Sequence, residues 1–125
     1  MKLTNLQIYN HANAMLEEFG AECNIKLPVR INFFLQKNIQ TLTTLGKEIE
    51  TARLNIVQQY GSMNDTGDAY IIPNENIAAA TEELNELLSL EQDVALRTFK
   101  LDDFDSVDLT YKQMNALMFM IDDEM

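Results

Sequence analysis

The stretch that decides the fold runs from Leu27 to Tyr60 and reads LPVRINFFLQKNIQTLTTLGKEIETARLNIVQQY. Pro28 opens it, because proline fits the first position of a helix, and Gly61 closes it, because glycine often follows the last helical residue. Between them, residues recur alternately four and three positions apart, which is the period of a helix that packs along one seam. The seam consists of Ile31, Leu35, Asn38, Leu42, Leu45, Ile49, Ala52 and Ile56. A helix of this length spans roughly 50 Å at 1.5 Å per residue, so the rest of the chain is predicted to pack around it.

The seam contains one polar residue, Asn38. A single asparagine at such a position often fixes the register of two paired helices. The sequence leaves two partners for the seam open, namely the first helix of the same chain and the long helix of a second copy. The pattern slightly favours the second, and a homodimer is therefore expected.

Three shorter helices are predicted to flank the long one, over residues 4–19, residues 74–90 and the segment from Thr110 to Ile121. A T-x-x-Q capping box opens the first at Thr4 and the last at Thr110, because the Thr hydroxyl and the Gln side chain each satisfy a free backbone N–H. Asn74 is a suitable N-cap for the remaining helix. The last helix is predicted to turn one face inward, consisting of Tyr111, Met114, Leu117, Met118 and Ile121.

Two short segments have the character of strands. Ala69–Ile72 is an apolar run that Pro73 ends, and Glu91–Lys100 alternates apolar and polar residues around Val94 and Leu96. We expect these two segments to pair with each other. The predicted fold is therefore mainly α, with a long central helix, three shorter helices and a small two-stranded β element, in one helical domain of residues 1–125.

The charge of the chain is −11 and lies mostly in its last third. Residues 1–81 hold 8 acids and 6 Lys or Arg, whereas the acidic C-terminal part, residues 82–125, holds 12 acids and 3 Lys or Arg. The long helix is the one basic element, so the acidic part is expected to fold against it or against its copy in a dimer. The strong negative charge argues against direct binding to nucleic acid and to anionic membranes, because both require Lys and Arg contacts.

The residues that most enzymes and metal sites need are scarce. His11 is the only histidine and Cys23 the only cysteine, and no phosphate-binding glycine motif is present. His11 is expected at the surface, off the apolar face of the first helix. We predict no enzyme activity, no catalytic residue and no cofactor.

Two acidic clusters are the only candidates for a cation. They are Asp102, Asp103, Asp105 and Asp108, and separately Asn64, Asp65 and Asp68. Neither has the spacing of an EF-hand loop, so no metal site is predicted, although weak binding of divalent cations stays open.

Two phenylalanines lie off the predicted apolar faces. Phe33 projects away from the seam of the long helix, and Phe119 lies off the stripe of the last helix. Four of the seven methionines also lie between positions 114 and 125, and methionine adapts to irregular contacts. Such residues form either a second packing layer or a surface for a partner protein.

Three stretches, LPVRINFFLQKN, EELNELLSLEQDVALRTFKLDDF and LTYKQMNALMFMIDDE, together resemble a diffuse family of small phage and prophage proteins of unknown function. The resemblance covers residues 27–125 and rests on core patterns rather than on catalytic motifs. It implies a viral origin and a non-enzymatic accessory role. The sequence shows neither the pattern of a signal peptide nor an apolar run long enough to span a membrane, so a location in the cytoplasm of the host cell is expected.

Two functional hypotheses follow. The first is an acidic, phage-encoded interaction module that binds and occludes or adapts a partner protein, for instance a host defence factor. Its contact residues would be Asp102, Asp103, Asp105, Asp108 and Phe119. The alternative is a structural component of the virion or an assembly chaperone of its head or tail, in which Phe33 and the methionines would matter more than charge.

Overall fold

The longest element of the protein is a helix of 32 residues, α2, from Val29 to Tyr60. The structure is a computed structural model and describes residues 1–20 and 25–122. The helix begins one residue later than predicted, because Pro28 is its extended N-cap and accepts the first helical hydrogen bond from the N–H of Asn32 (2.9 Å). Gly61 ends it as expected, although in an extended rather than a left-handed conformation.

The fold is mainly α and is built around this helix. Along the chain a short strand comes first, and the third helix has a strand directly before it and another directly after it. The bounds are β1 Lys2–Thr4, α1 Asn5–Phe19, α2 Val29–Tyr60, β2 Ser62–Met63, β3 Tyr70–Ile71, α3 Asn74–Ser89, β4 Glu91–Asp93, a 3₁₀ turn Leu101–Phe104, α4 Tyr111–Leu117 and a final 3₁₀ turn Met118–Met120.

The helices α1 and α2 form an antiparallel hairpin. The Gln36 amide donates to the carbonyl oxygen of Phe19 at one end (3.3 Å), and Ala12 lies against Gly46 further along α2. The predicted capping box at Thr4 is present, with both hydrogen bonds formed. The link between the helices was predicted from residue 21 to residue 26; most of it, together with Cys23, lies outside the described residues, as do the last three residues of the acidic tail.

The predicted pairing of the strands is wrong. Instead of one β element there are two small antiparallel sheets, β2 with β3 and β1 with β4. The turn-forming residues between β2 and β3 close a local hairpin, which costs less chain entropy than the distant pairing that the sequence suggested. Strand β1 escaped prediction because three residues are too few to show an alternating pattern.

The third helix also begins differently from the prediction. Pro73 rather than Asn74 is the N-cap of α3, and no side chain caps this helix. Of the strand predicted at Glu91–Lys100, only the first three residues form β4, and a single parallel bridge joins Phe99 to Ile121. Here the N–H of Phe99 donates to the Met120 carbonyl (2.8 Å), so the C-terminus of the described chain is fastened to this segment.

The core lies where α1, α2 and the C-terminal segment, from Val94 to Ile121, meet. The capping box at Thr110 forms as predicted, and the inward face of the last helix forms in part, because Leu117 is buried and Met114 and Ile121 are half-buried. Tyr111 and Met118 are 82% and 58% exposed, and their places in the core are taken by Ala116 and Met120. The chain changes from α to 3₁₀ geometry at Met118, and this tighter winding rotates the following residues relative to a 3.6-residue period.

Candidate functional site

The seam of α2 faces the rest of its own chain. Leu45, Ala52 and Ile56 of the seam are half-buried, and its other residues are buried, namely Ile31, Leu35, Asn38, Leu42 and Ile49. Asn38 donates from Nδ2 to the carbonyl oxygen of Arg97 (2.8 Å) and accepts from the Arg97 N–H (2.9 Å). Its Nδ2 also lies 3.0 Å from the sulfur of Met120. The seam therefore fixes the position of the C-terminal segment, and any contact with a second copy would have to use another surface.

The acidic segment, Leu101–Tyr111, begins on a 3₁₀ turn that an aromatic pair anchors. Phe104 is buried and packs edge-on against Phe99, with ring centroids 5.7 Å apart. A carboxylate oxygen of Asp103 accepts from the N–H of Lys100 (2.9 Å), which closes the start of the turn. The other three aspartates of the segment are exposed, namely Asp102, Asp105 and Asp108. Sequence reasoning identified the aspartates but missed Phe104, whose apolar ring within an acidic run was the available signal.

The expected neutralisation of the acidic part by α2 does not take the form of ion pairs. Among residues 1–20 and 25–122, one ion pair joins Arg53 to Glu50 within α2, and another joins the N-terminal ammonium to Asp93 (3.9 Å). The Arg53 guanidinium lowers the pKa of the Glu50 carboxyl chiefly through their hydrogen bonds. Within the described chain, no Lys or Arg of α2 lies within ion-pair distance of an acid beyond residue 81.

The second acidic cluster forms a closed turn rather than an open set of ligands. The side chains of Asn64 and Thr66 donate to one carboxylate oxygen of Asp68, at 2.6 and 2.7 Å, and these hydrogen bonds lower the pKa of Asp68. In the part of the chain that the structure describes, no group of three or more His, Cys, Asp or Glu side chains is arranged to hold a metal ion.

His11 and Phe119 are brought together by the fold. Their rings stack in parallel, with centroids 3.7 Å apart and an angle of 8° between the planes. His11 is thus half-buried instead of free at the surface, and this burial lowers its pKa. One face of Phe119 is covered by the chain itself. The ring therefore contributes to internal packing, and the acidic segment is left as the exposed part of the predicted contact set.

We define a basic face of α2 by Val29, Arg30, Phe33 and Lys37, which are all exposed. At 100° per residue, Val29 and Phe33 lie opposite the seam, and the cations Arg30 and Lys37 lie about a third of a turn from it. Val29 is 87% exposed and Phe33 is 55% exposed, so two apolar side chains one helical turn apart stand in solvent. The Lys37 ammonium lies 5.3 Å from the centre of the Phe33 ring, within the range of a cation–π contact. A groove of about 790 Å³ runs beside them. Phe33 projects away from the seam, as predicted. The exposure of Val29 beside it was not predicted, although the i, i+4 spacing of the two residues places them on the same side of the helix.

Comparison with known protein families, with curated proteins and with solved structures finds no match to this chain. Among the described residues, no helix combines the length and the apolar composition that crossing a bilayer requires. A function for this chain is therefore inferred from the geometry of its described residues.

Proposed function

We propose that this chain is a phage-encoded acidic interaction module that binds a partner protein in the host cytoplasm and occludes or adapts it. The proposed partner carries a basic site, such as the nucleic-acid-binding surface of a host defence factor. The observation that carries the proposal is the exposure of Asp102, Asp105 and Asp108 on one short, anchored segment, without ion pairs to α2 among the described residues. The resemblance to small phage proteins supports the viral setting.

Charge is well suited to such a role. A surface of one sign attracts a partner of the opposite sign, raises the rate of encounter and rejects wrong partners. The buried Phe104 holds the acidic segment in place, so less conformational entropy is lost when a partner binds.

The test is affinity capture from phage-infected cells with the tagged protein, followed by mass spectrometry after low-salt and high-salt washes. We expect a host nucleic-acid-binding or defence protein that is retained at low salt and lost at high salt, because salt screens exposed charges beyond about 10 Å at 0.1 M. The triple variant Asp102→Lys, Asp105→Lys, Asp108→Lys should lose this protein.

The matched control reverses three exposed acids elsewhere, Glu48→Lys on α2 with Glu82→Lys and Glu86→Lys on α3. It should retain the partner, because these residues lie outside the acidic segment. If the triple variant captures the partner as well as the wild type does, the acidic segment is not the contact surface and this proposal is wrong.

A second function is favoured by a different observation. Val29 and Phe33 on α2, together with Met118, are large apolar side chains exposed to solvent. Such groups suit a component of the virion or an assembly chaperone of its head or tail, because apolar contacts of this kind resist salt. Recovery of a virion protein that survives the high-salt wash, and that is lost with Phe33→Ser, would favour this alternative over the acidic module.

A further inference from the structure

We propose that the chain associates with copies of itself, and that the basic face of α2 in one copy binds the acidic segment of another. The inference goes beyond the proposed function and does not depend on it. It concerns two surfaces of the same chain whose charges and apolar groups are complementary.

The basic face lies in a stretch without any acid. Residues 25–47 contain four Lys or Arg and no Asp or Glu. No ion pair within the described chain engages these cations. Val29 and Phe33 stand exposed among them and offer apolar contact area. A surface of this composition fits a segment that combines carboxylates with apolar side chains.

The acidic segment has that composition. Residues 101–111 contain four aspartates and no Lys or Arg. Leu101 and Tyr111 at its two ends are 42% and 82% exposed. Two apolar anchors therefore flank the carboxylates, as Val29 and Phe33 accompany the cations on α2. The chain thus carries both halves of one contact.

Within the described chain no ion pair joins the two surfaces, and Arg97 marks where the chain before the acidic segment contacts α2. This residue meets the seam side of α2, where its backbone bonds to Asn38 and its guanidinium lies 4.1 Å from the centre of the Phe34 ring. The acidic segment follows shortly after this anchored point. At 100° per residue, Val29 and Phe33 lie about half a turn around α2 from Asn38, and Arg30 and Lys37 lie about a quarter turn from it. All four side chains are exposed, so the basic face is open to other molecules.

Each copy carries a net charge of −11, and the long-range repulsion between copies opposes association. The contact therefore depends on close pairs of opposite charge and on the apolar anchors. Reversing either set of charges should abolish it. If one variant carries the reversed basic face and another carries the reversed acidic segment, the two variants should bind each other.

The experiment is sedimentation of the purified full chain over a concentration range up to about 1 mM, which detects association with a dissociation constant up to about that value. The wild type should form dimers or longer assemblies as its concentration rises. Two variants, Arg30→Glu/Lys37→Glu and Asp102→Lys/Asp105→Lys, should each weaken association by at least about tenfold, because like charges then face each other. An equimolar mixture of the two should associate again. Asp103 is left unchanged, because its carboxylate closes the turn at Lys100.

Matched controls separate the contact from general effects of charge and exposure. The single variant Lys37→Glu should weaken association, and its control Lys2→Glu should not, because Lys2 lies in β1, at the end of the hairpin remote from Val29. Phe33→Ser should also weaken association, because it removes an apolar anchor, and its control Leu16→Ser, at a residue 49% exposed, should not. Far-ultraviolet circular dichroism of each variant checks that the helices remain formed.

Two results would overturn the proposal. The first is a wild type that stays monomeric over the whole range. The second is a mixture of the two charge variants that associates no better than either alone. If a monomeric wild type binds a short polyglutamate peptide through Arg30 and Lys37, the basic face is assigned instead to acidic segments of other proteins. Since only purified chain is used, none of these results bears on capture of a host partner by the acidic segment.

Discussion

Asn38 shows what one polar side chain does within an apolar seam. Its amide pairs with both backbone groups of Arg97, as a neighbouring strand would. The sequence predicted that this asparagine fixes a register, but it favoured a second long helix as the element to be registered. The actual partner lies 59 positions away in an irregular segment, and no local pattern connects the two.

Replacing Asn38 by leucine should lower the free energy of unfolding by about 1–3 kcal/mol, because the Arg97 N–H and carbonyl would lose their partner at a buried site. Urea unfolding followed by circular dichroism measures the change. Asn55→Leu, at an exposed position of the same helix, is the control and should change stability little. Equal effects of the two substitutions would show that Asn38 does not hold the C-terminal segment.

The stack of His11 on Phe119 should make stability depend on pH. Burial lowers the pKa of His11 in the folded protein, so the folded state binds a proton less readily than the unfolded state, in which the pKa is about 6.5. The stabilising contribution is therefore complete above about pH 6.5 and is lost as the pH falls through the lower pKa of the folded state.

Unfolding free energies of the wild type and of His11→Gln, measured at several pH values between 7.5 and 5, test this expectation. The wild type should lose stability over this range and the variant should lose less, because His11 is the only histidine. Parallel pH profiles of the two proteins would contradict the assigned role of burial.

At the scale of elements, local signals were predicted well and distant pairings were not. Both T-x-x-Q capping boxes form as expected, since each involves only four consecutive residues. The pairing of β1 with β4 joins positions about ninety residues apart, which no window along the sequence can reveal. Part of the inward face predicted for the last helix is wrong. For the residues from Met118 onward the cause is local, because the change to 3₁₀ winding leaves no mark in the apolar spacing.

Two glycines of the α2 region should respond in opposite ways to substitution by alanine. A Cβ at Gly46 would lie 3.6 Å from that of Ala12, an ordinary contact, and alanine favours helix over glycine. Gly46→Ala should therefore stabilise the protein by roughly 0.5–1 kcal/mol. A Cβ at Gly61 would approach the Ile71 carbonyl oxygen to 2.8 Å, so Gly61→Ala should destabilise it. Thermal unfolding of both variants measures the difference, and a fall in melting temperature for Gly46→Ala would contradict the prediction.

At the scale of the whole molecule, the sequence predicted how many charges each part of the chain carries, but it did not predict which surfaces those charges would face. The excess of acid after residue 81 was evident from composition alone. Its expected neutralisation by α2 was not found as ion pairs within the described chain, because Asn38 and the seam bring the apolar side of α2, and not its basic face, to the C-terminal segment. Exposure of the two charged surfaces thus follows from apolar packing that composition does not reveal.

The pairing of β1 with β4 has a consequence for synthesis on the ribosome. Residues 2–4 find their partners only at residues 91–93, and Asn5 bonds to the carbonyl of Leu87 (2.8 Å) and to the side chain of Gln92 (2.7 Å). The hairpin of α1 and α2 can form early, but strand β1 at its edge stays unpaired until residues 91–93 have left the ribosome. Contacts of such long sequence separation slow folding, so the nascent chain exposes an unpaired strand edge until that point.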